Sequence, residues 1–222
     1  MYKNINRIIK YKLQLPYNKG LTLIELMVVI SIFLVITTTV IFNYGTFNSN
    51  VSLQNLTDDV ALSIRKAQGF AIGARAVGDN FRNSYGMHFS VDSSPSGSLS
   101  GSNKSFLMFS VPTADTKKYT DNGSMSDVCG NNTNQCIELF NITSADNIKE
   151  LRIDDVSKVA GSIDIIFTRP NTRAYFCYRA NTSSDCVTAS RVDIVISNGQ
   201  TDVGKERTKT ISVQNTGQIS IQ

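Results

Sequence analysis

The 222-residue sequence predicts an α+β fold: one long N-terminal helix, apolar and then amphipathic, followed by a mainly antiparallel β head. Two observations carry this expectation. An uninterrupted apolar run near the N-terminus gives way to a 3.6-residue apolar rhythm, and beyond Gly78 the rhythm shortens towards two. The composition is that of a globular chain, 41% hydrophobic and 18% charged, which excludes a disordered charged tail protein. The formal charge of +4 invites a nucleic-acid or membrane-surface partner until its location is known.

That charge is concentrated at the start. Lys3, Arg7, Lys10, Lys12 and Lys19 precede Leu21, and residues 1–20 hold no Asp or Glu. Leu21–Phe42 then reads LTLIELMVVISIFLVITTTVIF, with Glu25 as its single charge. As a helix rising about 1.5 Å per residue, such a run crosses a hydrocarbon core of about 30 Å. A basic flank ahead of the span predicts a cytoplasmic N-terminus and an exported remainder. A plain secretory signal peptide fits poorly: the run exceeds an h-region, no A-x-A-like site follows, and a carboxylate lies within it. A charge in lipid is costly enough to require a use.

The segment Lys19-Gly20-Leu21-Thr22-Leu23-Ile24-Glu25-Leu26-Met27-Val28-Val29-Ile30 closely resembles the N-terminus of type IV pilins and pseudopilins. The resemblance implies cleavage by prepilin peptidase between Gly20 and Leu21 and N-methylation of the new Leu21 amine. It also makes Glu25 the family's fifth-position glutamate, which sets the axial register of one subunit against its neighbour. Leu21 departs from the usual Phe at the first mature position. The chain lacks the Pro that many major pilins carry after the span, and Gly45 is the nearest flexible point. The implied partners are prepilin peptidase, other pilins or pseudopilins, an inner-membrane assembly platform with its ATPase, and membrane lipid before assembly. The implied place is the bacterial inner membrane, single-pass, with the head periplasmic or extracellular, and a filament once assembled.

Past Gly45, Leu53, Leu56, Val60, Ile64, Ala67, Ala71 and Ala74 form one helical stripe, with Asp58, Asp59, Arg65, Lys66 and Arg75 off it. The expected organisation is a basic leader at 1–20, a transmembrane helix at 21–42, an amphipathic helix at 43–78 and a β-rich head at 79–222. The helix is expected to break or bend near Gly45 and to stop at Gly78. Strands are expected at Tyr85–Val91, Phe106–Val111, Ile137–Ile142, Ile163–Thr168, Ala174–Tyr178, Val192–Ser197, Thr208–Gln214 and Gln218–Ile221. The segments LTDDVALSIRKAQGFAIGARAVG and SYGMHFS, with IDIIFTRPNTRAYFC, VDIVISNG and KTISVQNTGQISI, resemble the GspH/FimT minor pseudopilin group. This implies a pilin-like fold and a minor pilin or pseudopilin of a type II secretion pseudopilus or type IV pilus.

Cys129, Cys136, Cys177 and Cys186 all follow the span, and in an exported head they read as disulfides. Four cysteines allow three connectivities. The pairs Cys129–Cys136 and Cys177–Cys186 are favoured because each flanks a short polar loop within one hairpin. Zinc is not expected, since neither spacing is C-x₂-C and His88 is the sole histidine. His88 lies on an expected strand, where packing or a surface hydrogen bond accounts for it. Ser63-Ile64-Arg65-Lys66 matches S-x-x-K without its companion motifs, and no P-loop or nucleophile elbow occurs. No enzyme and no cofactor are expected.

The alternative function is DNA capture by a competence pilus, as in some FimT-type pilins. Arg169, Arg173 and Arg179 would make the contacts, within a stretch at 169–209 that carries seven cations and four acids. Ordinary strand surface charge is the simpler reading, because the C-terminus TGQISIQ holds no basic residue. Loss of the leader removes five of the 22 Lys and Arg, leaving 17 against 18 acids. The headline basicity is therefore an orientation and processing signal.

Overall fold

The computed structural model describes residues 20–73, 83–91, 102–112, 119, 136–154, 161–168, 172–180, 183–202 and 204–222. It divides at Gly45 into two compact units, Met1–Gly45 and Thr46–Gln222. One helix, α1 (Leu23–Ile72), contributes to both. The expected break at Gly45 is absent, because Gly45 and the residues around it are helical. A glycine inside a helix costs about 1 kcal/mol, which long helical flanks absorb. Gly73 follows α1 in a turn, and the stop expected at Gly78 lies outside the described residues.

In the first unit, Leu23–Phe42 is a candidate membrane span with a mean hydropathy of 2.5 and none of it buried within the protein. Its hydroxyls are satisfied inside the helix. Ser31 donates to the Val28 carbonyl at 2.8 Å, Thr37 to Phe33 at 2.8 Å, Thr38 to Leu34 at 2.7 Å and Thr39 to Ile36 at 2.7 Å. Such back-bonding lets three consecutive threonines sit in an apolar segment without leaving polar groups unpaired in lipid.

Among the described residues, the second unit holds ten strands in two antiparallel sheets. One has the order β3 (Cys136–Asn141), β2 (Ser105–Pro112), β1 (Asn83–Ser90), β5 (Ser162–Phe167), β6 (Ala174–Ala180) and β7 (Ser183–Val187). The other runs β10 (Ile219–Ile221), β9 (Thr208–Gln214), β8 (Arg191–Ser197) and β4 (Asn147–Ile153). The α+β class is thus observed. Strands β4 and β7 were not anticipated from the sequence, whereas the other eight fall within a residue or two of their expected places.

The C-terminal part of α1 shares one core with both sheets. Leu53, Val60, Ile64, Ala67 and Ala71 are buried together with Tyr85, Met87 and Phe89 of β1, Ile163 and Ile165 of β5, and Val192, Ile194 and Ile196 of β8. The buried strand residues alternate in sequence, as one face of a pleated strand requires. The helix residues closest to its C-terminal end are alanines, which allow the sheets to approach. Gly86 serves the same need on the opposite face of β1: a Cβ there would lie 2.6 Å from the Phe109 ring and 2.8 Å from the Ile165 carbonyl.

Polar contacts fix the beginning of this helical segment. Ser52 donates to Asp146 Oδ2 at 2.5 Å, and Asn198 Nδ2 donates to Ser49 Oγ at 3.2 Å. Lys104 Nζ donates to three successive carbonyls, of Ser144, Ala145 and Asp146, at 3.1, 2.8 and 2.6 Å. All three ammonium protons are therefore used to hold the turn that presents Asp146 to Ser52.

Candidate functional site: the N-terminal motif

Gly20, Leu21 and Thr22 precede α1 in an exposed, non-helical stretch, and Glu25 lies in its first turn. Thr22 caps the helix. Its Oγ1 accepts the Glu25 N–H at 3.3 Å, while Glu25 Oε2 accepts the Thr22 N–H at 2.8 Å and the Thr22 hydroxyl at 2.9 Å. This is a capping box, in which residues three apart satisfy each other's donors at the helix end. The carboxylate is thereby folded back towards the residues just ahead of the helix. An amine created at Leu21 would arise one residue before the Thr22 N–H that Glu25 already holds.

The sequence singled out Gly20, Leu21 and Glu25 but passed over Thr22. The signal for it was present as Thr22-x-x-Glu25 immediately before an apolar helix. The second missed feature is polar and buried. His88 Nδ1 lies 2.6 Å from Asp164 Oδ1, and Asp164 Oδ2 accepts the Tyr119 N–H at 2.9 Å. The two side chains are cross-strand partners on β1 and β5, and the Tyr119 ring lies 5.0 Å from the imidazole. Asp164 thus latches Tyr119 onto the sheet face turned away from α1, where Leu107, Phe109, Val111 and Ile166 form a smaller core. His88 Nε2 is buried and has no hydrogen-bond partner among the described residues. The imidazole, the carboxylate and the Tyr119 backbone N–H form a structural clasp.

Cys177 and Cys186 are directly paired across β6 and β7 and form a disulfide. Cys136 is also disulfide-bonded, and Cys129 lies outside the described residues. Of the three arginines weighed for DNA, Arg169 is outside the described residues. Arg173 is exposed just before β6, and Arg179 lies six residues further on within it. At about 3.4 Å per residue the two backbones are about 20 Å apart. Other cations of that stretch are engaged: Arg191 with Asp193 at 3.0 Å and Lys205 with Asp202 at 3.1 Å. Among the described residues no group of three or more His, Cys, Asp or Glu side chains could hold a metal.

A family model of the prokaryotic N-terminal methylation motif matches residues 15–41. The match supports the type IV pilin and pseudopilin superfamily. It spans the Gly20–Leu21 junction, Glu25 and nearly all of the apolar span, and it stops before the head. No curated protein and no solved structure gives a significant match. The prepilin motif indicates a type IV pilin-like or pseudopilin protein, and with the apolar helix behind it fits a membrane-anchored pilin. It also implies processing by prepilin peptidase and assembly with other pilins.

Proposed function

We propose that the protein is a non-enzymatic minor pilin or pseudopilin of the GspH/FimT type, assembled into a type II secretion pseudopilus or a type IV pilus. Prepilin peptidase cuts between Gly20 and Leu21, and the Leu21 amine is methylated. Until assembly, the Leu23–Phe42 helix holds the subunit in the inner membrane with its N-terminus cytoplasmic. The platform and its ATPase then draw it into the filament. The observation that carries this reading is the methylation motif lying across an exposed Gly20–Leu21 junction at the mouth of a span-length apolar helix.

Glu25 supplies the register. In the uncut chain its carboxylate is occupied by Thr22, just ahead of the same helix. In the filament a neighbour's Leu21 amine takes its place opposite this carboxylate. A misaligned subunit would leave both charges unpaired in low dielectric, which is strongly unfavourable. Replacing Glu25 with Ala is expected to leave cleavage intact and to lower the amount of chain in sheared filaments at least tenfold. Immunoblots of membrane and filament fractions read both quantities. Unchanged incorporation would remove Glu25 from the mechanism. The non-nucleic-acid reading is preferred over DNA capture because the exposed Arg173 stands well apart from Arg179, and Arg191 and Lys205 are paired within the chain.

A further inference from the structure

Between the start of β6 and the residues that follow β7 and β9 lies a cavity of about 150 Å³. Ala174, Phe176 and Ala189, all buried, line its apolar part. The exposed Arg173 and Thr188 and the half-buried Asn215 complete the lining. The side chains of these three have no hydrogen-bond or ion-pair partner among the described residues. Tyr175 also borders the cavity, but it is engaged within its own chain and serves only as a wall.

A relay of contacts holds the backbone around this cavity. Asp154, with a left-handed φ of 48°, accepts the N–H groups of Ser190 and Arg191 on Oδ1, each at 2.8 Å. A non-glycine residue keeps such a conformation where its surroundings fix it. The Ser190 carbonyl accepts the Asn215 N–H at 2.9 Å, and the Asn215 carbonyl accepts the Ala174 N–H at 3.0 Å. Gln68 Nε2 donates to the Thr172 and Gly217 carbonyls at 3.3 and 3.0 Å, tying both neighbouring segments to α1. The three free side chains therefore stand on a backbone that is ordered before any ligand arrives, which lowers the cost of binding.

The lining selects the ligand. A guanidinium presents a planar fork of N–H donors that matches a carboxylate. The Thr188 hydroxyl and the Asn215 amide offer further donors for the remaining lone pairs, and the apolar part suits the methylenes that carry the acid. The cavity is smaller than the roughly 300 Å³ at which small-molecule sites begin, so it holds one short side chain and not a whole ligand. A nucleic-acid strand calls for a row of phosphate contacts, whereas Arg173 is the one cation here and Arg191 and Lys205 pair with Asp193 and Asp202. We propose that this cavity receives a Glu or Asp side chain of a protein partner other than this chain, with its carboxylate paired to Arg173 and hydrogen-bonded by Thr188 and Asn215. The contact needs no second copy, so it is compatible with a minor subunit and independent of filament assembly.

The test uses the full chain in nonionic detergent and ligand-observed NMR with a short blocked peptide carrying one central Glu, against its Gln counterpart. The Glu peptide is expected to bind about tenfold more tightly, and Arg173→Ala to abolish that preference. Arg173→Lys keeps the charge without the fork and restores the preference only in part. Asn215→Ala weakens the Glu peptide about threefold, while Arg207→Ala, at an exposed cation outside the cavity, leaves it unchanged. Urea unfolding midpoints equal to the parent's show that the variants are folded. Equal binding of the two peptides, a preference that survives Arg173→Ala, or an equal loss in Arg207→Ala overturns the proposal. Tighter Arg173-dependent binding of a single-stranded oligonucleotide also overturns it, by making the ligand a phosphate backbone. Binding of free glutarate as tight as that of the Glu peptide overturns it too, by making the ligand a free small acid. All arms are read on the purified chain, so a failure here leaves the assembled-subunit reading standing.

Discussion

The two stretches of α1 on either side of Gly45 are both rich in apolar residues, yet they put them to opposite uses. Leu23–Phe42 is apolar around its whole circumference and has no buried side chains within the protein. In Thr46–Ile72 one stripe is buried, running from Leu53 to Ala71, while Asp59, Arg65 and Lys66 face outward. An all-round apolar helix needs a surrounding apolar medium, whether lipid or packed helices, whereas a striped helix needs one sheet face. Hydrophobicity therefore does not contribute to head stability unless it is patterned to match a partner.

Equal truncations test this contrast most severely. Ile64→Ala removes a fully buried side chain from the shared core and is expected to cost about 2–5 kcal/mol in urea unfolding of the head. Ile30→Ala, in the same helix and in detergent, should move that transition by less than about 0.5 kcal/mol. Comparable losses would mean that the span also supports the head. Next in size is the Cys177–Cys186 bridge, whose sequence separation of 9 closes a short hairpin loop. Replacing both cysteines with Ser should cost about 2–3 kcal/mol in the same assay, through greater freedom of the unfolded chain. It should leave membrane insertion unchanged.

The smallest effect is electrostatic. Lys149, 2.6 Å from Glu206, and the Ser197 hydroxyl at 3.0 Å hold the Glu206 carboxyl below the usual carboxylate range, Lys149 contributing most. A depressed folded pKa stabilises the head fully above about pH 4.3, the ordinary Glu value, and this contribution is lost as pH falls through the lower folded value. Glu206→Gln should flatten that part of the stability–pH curve and lower stability slightly at neutrality, with the slope there unchanged. A mutant curve parallel to the parent's throughout would remove the pair from the account.

Legibility followed patterning. The stripe Leu53, Val60, Ile64, Ala67 and Ala71 was readable because its period is helical, and β1, β2 and β8 because aromatic and β-branched residues dominate them. Strand β4 escaped notice because Lys149, Glu150 and Arg152 interrupt its apolar run. Only Ile148 and Leu151 are fully buried there, and the register against β8 shifts between Ile148 and Glu150. Strand β7, SSDCV, has almost no apolar content and exists as the partner of β6. Gly45 suggested a break that neighbouring helical turns override. At the N-terminus, Gly20, Leu21 and Glu25 formed a contiguous pattern and were legible at once. The His88–Asp164 clasp joins residues 76 apart, and only the pairing of β1 with β5 brings them together.

The central claim is that the basic segment ahead of Leu21 is a removable leader and that the mature protein begins on the apolar helix. Intact-mass and N-terminal peptide spectrometry of the chain, recovered from membranes containing prepilin peptidase, tests it directly. The expected result is a chain beginning at Leu21 and carrying one methyl group on its α-amine. A chain that retains Met1–Gly20, or one cut beyond Phe42, would contradict the account.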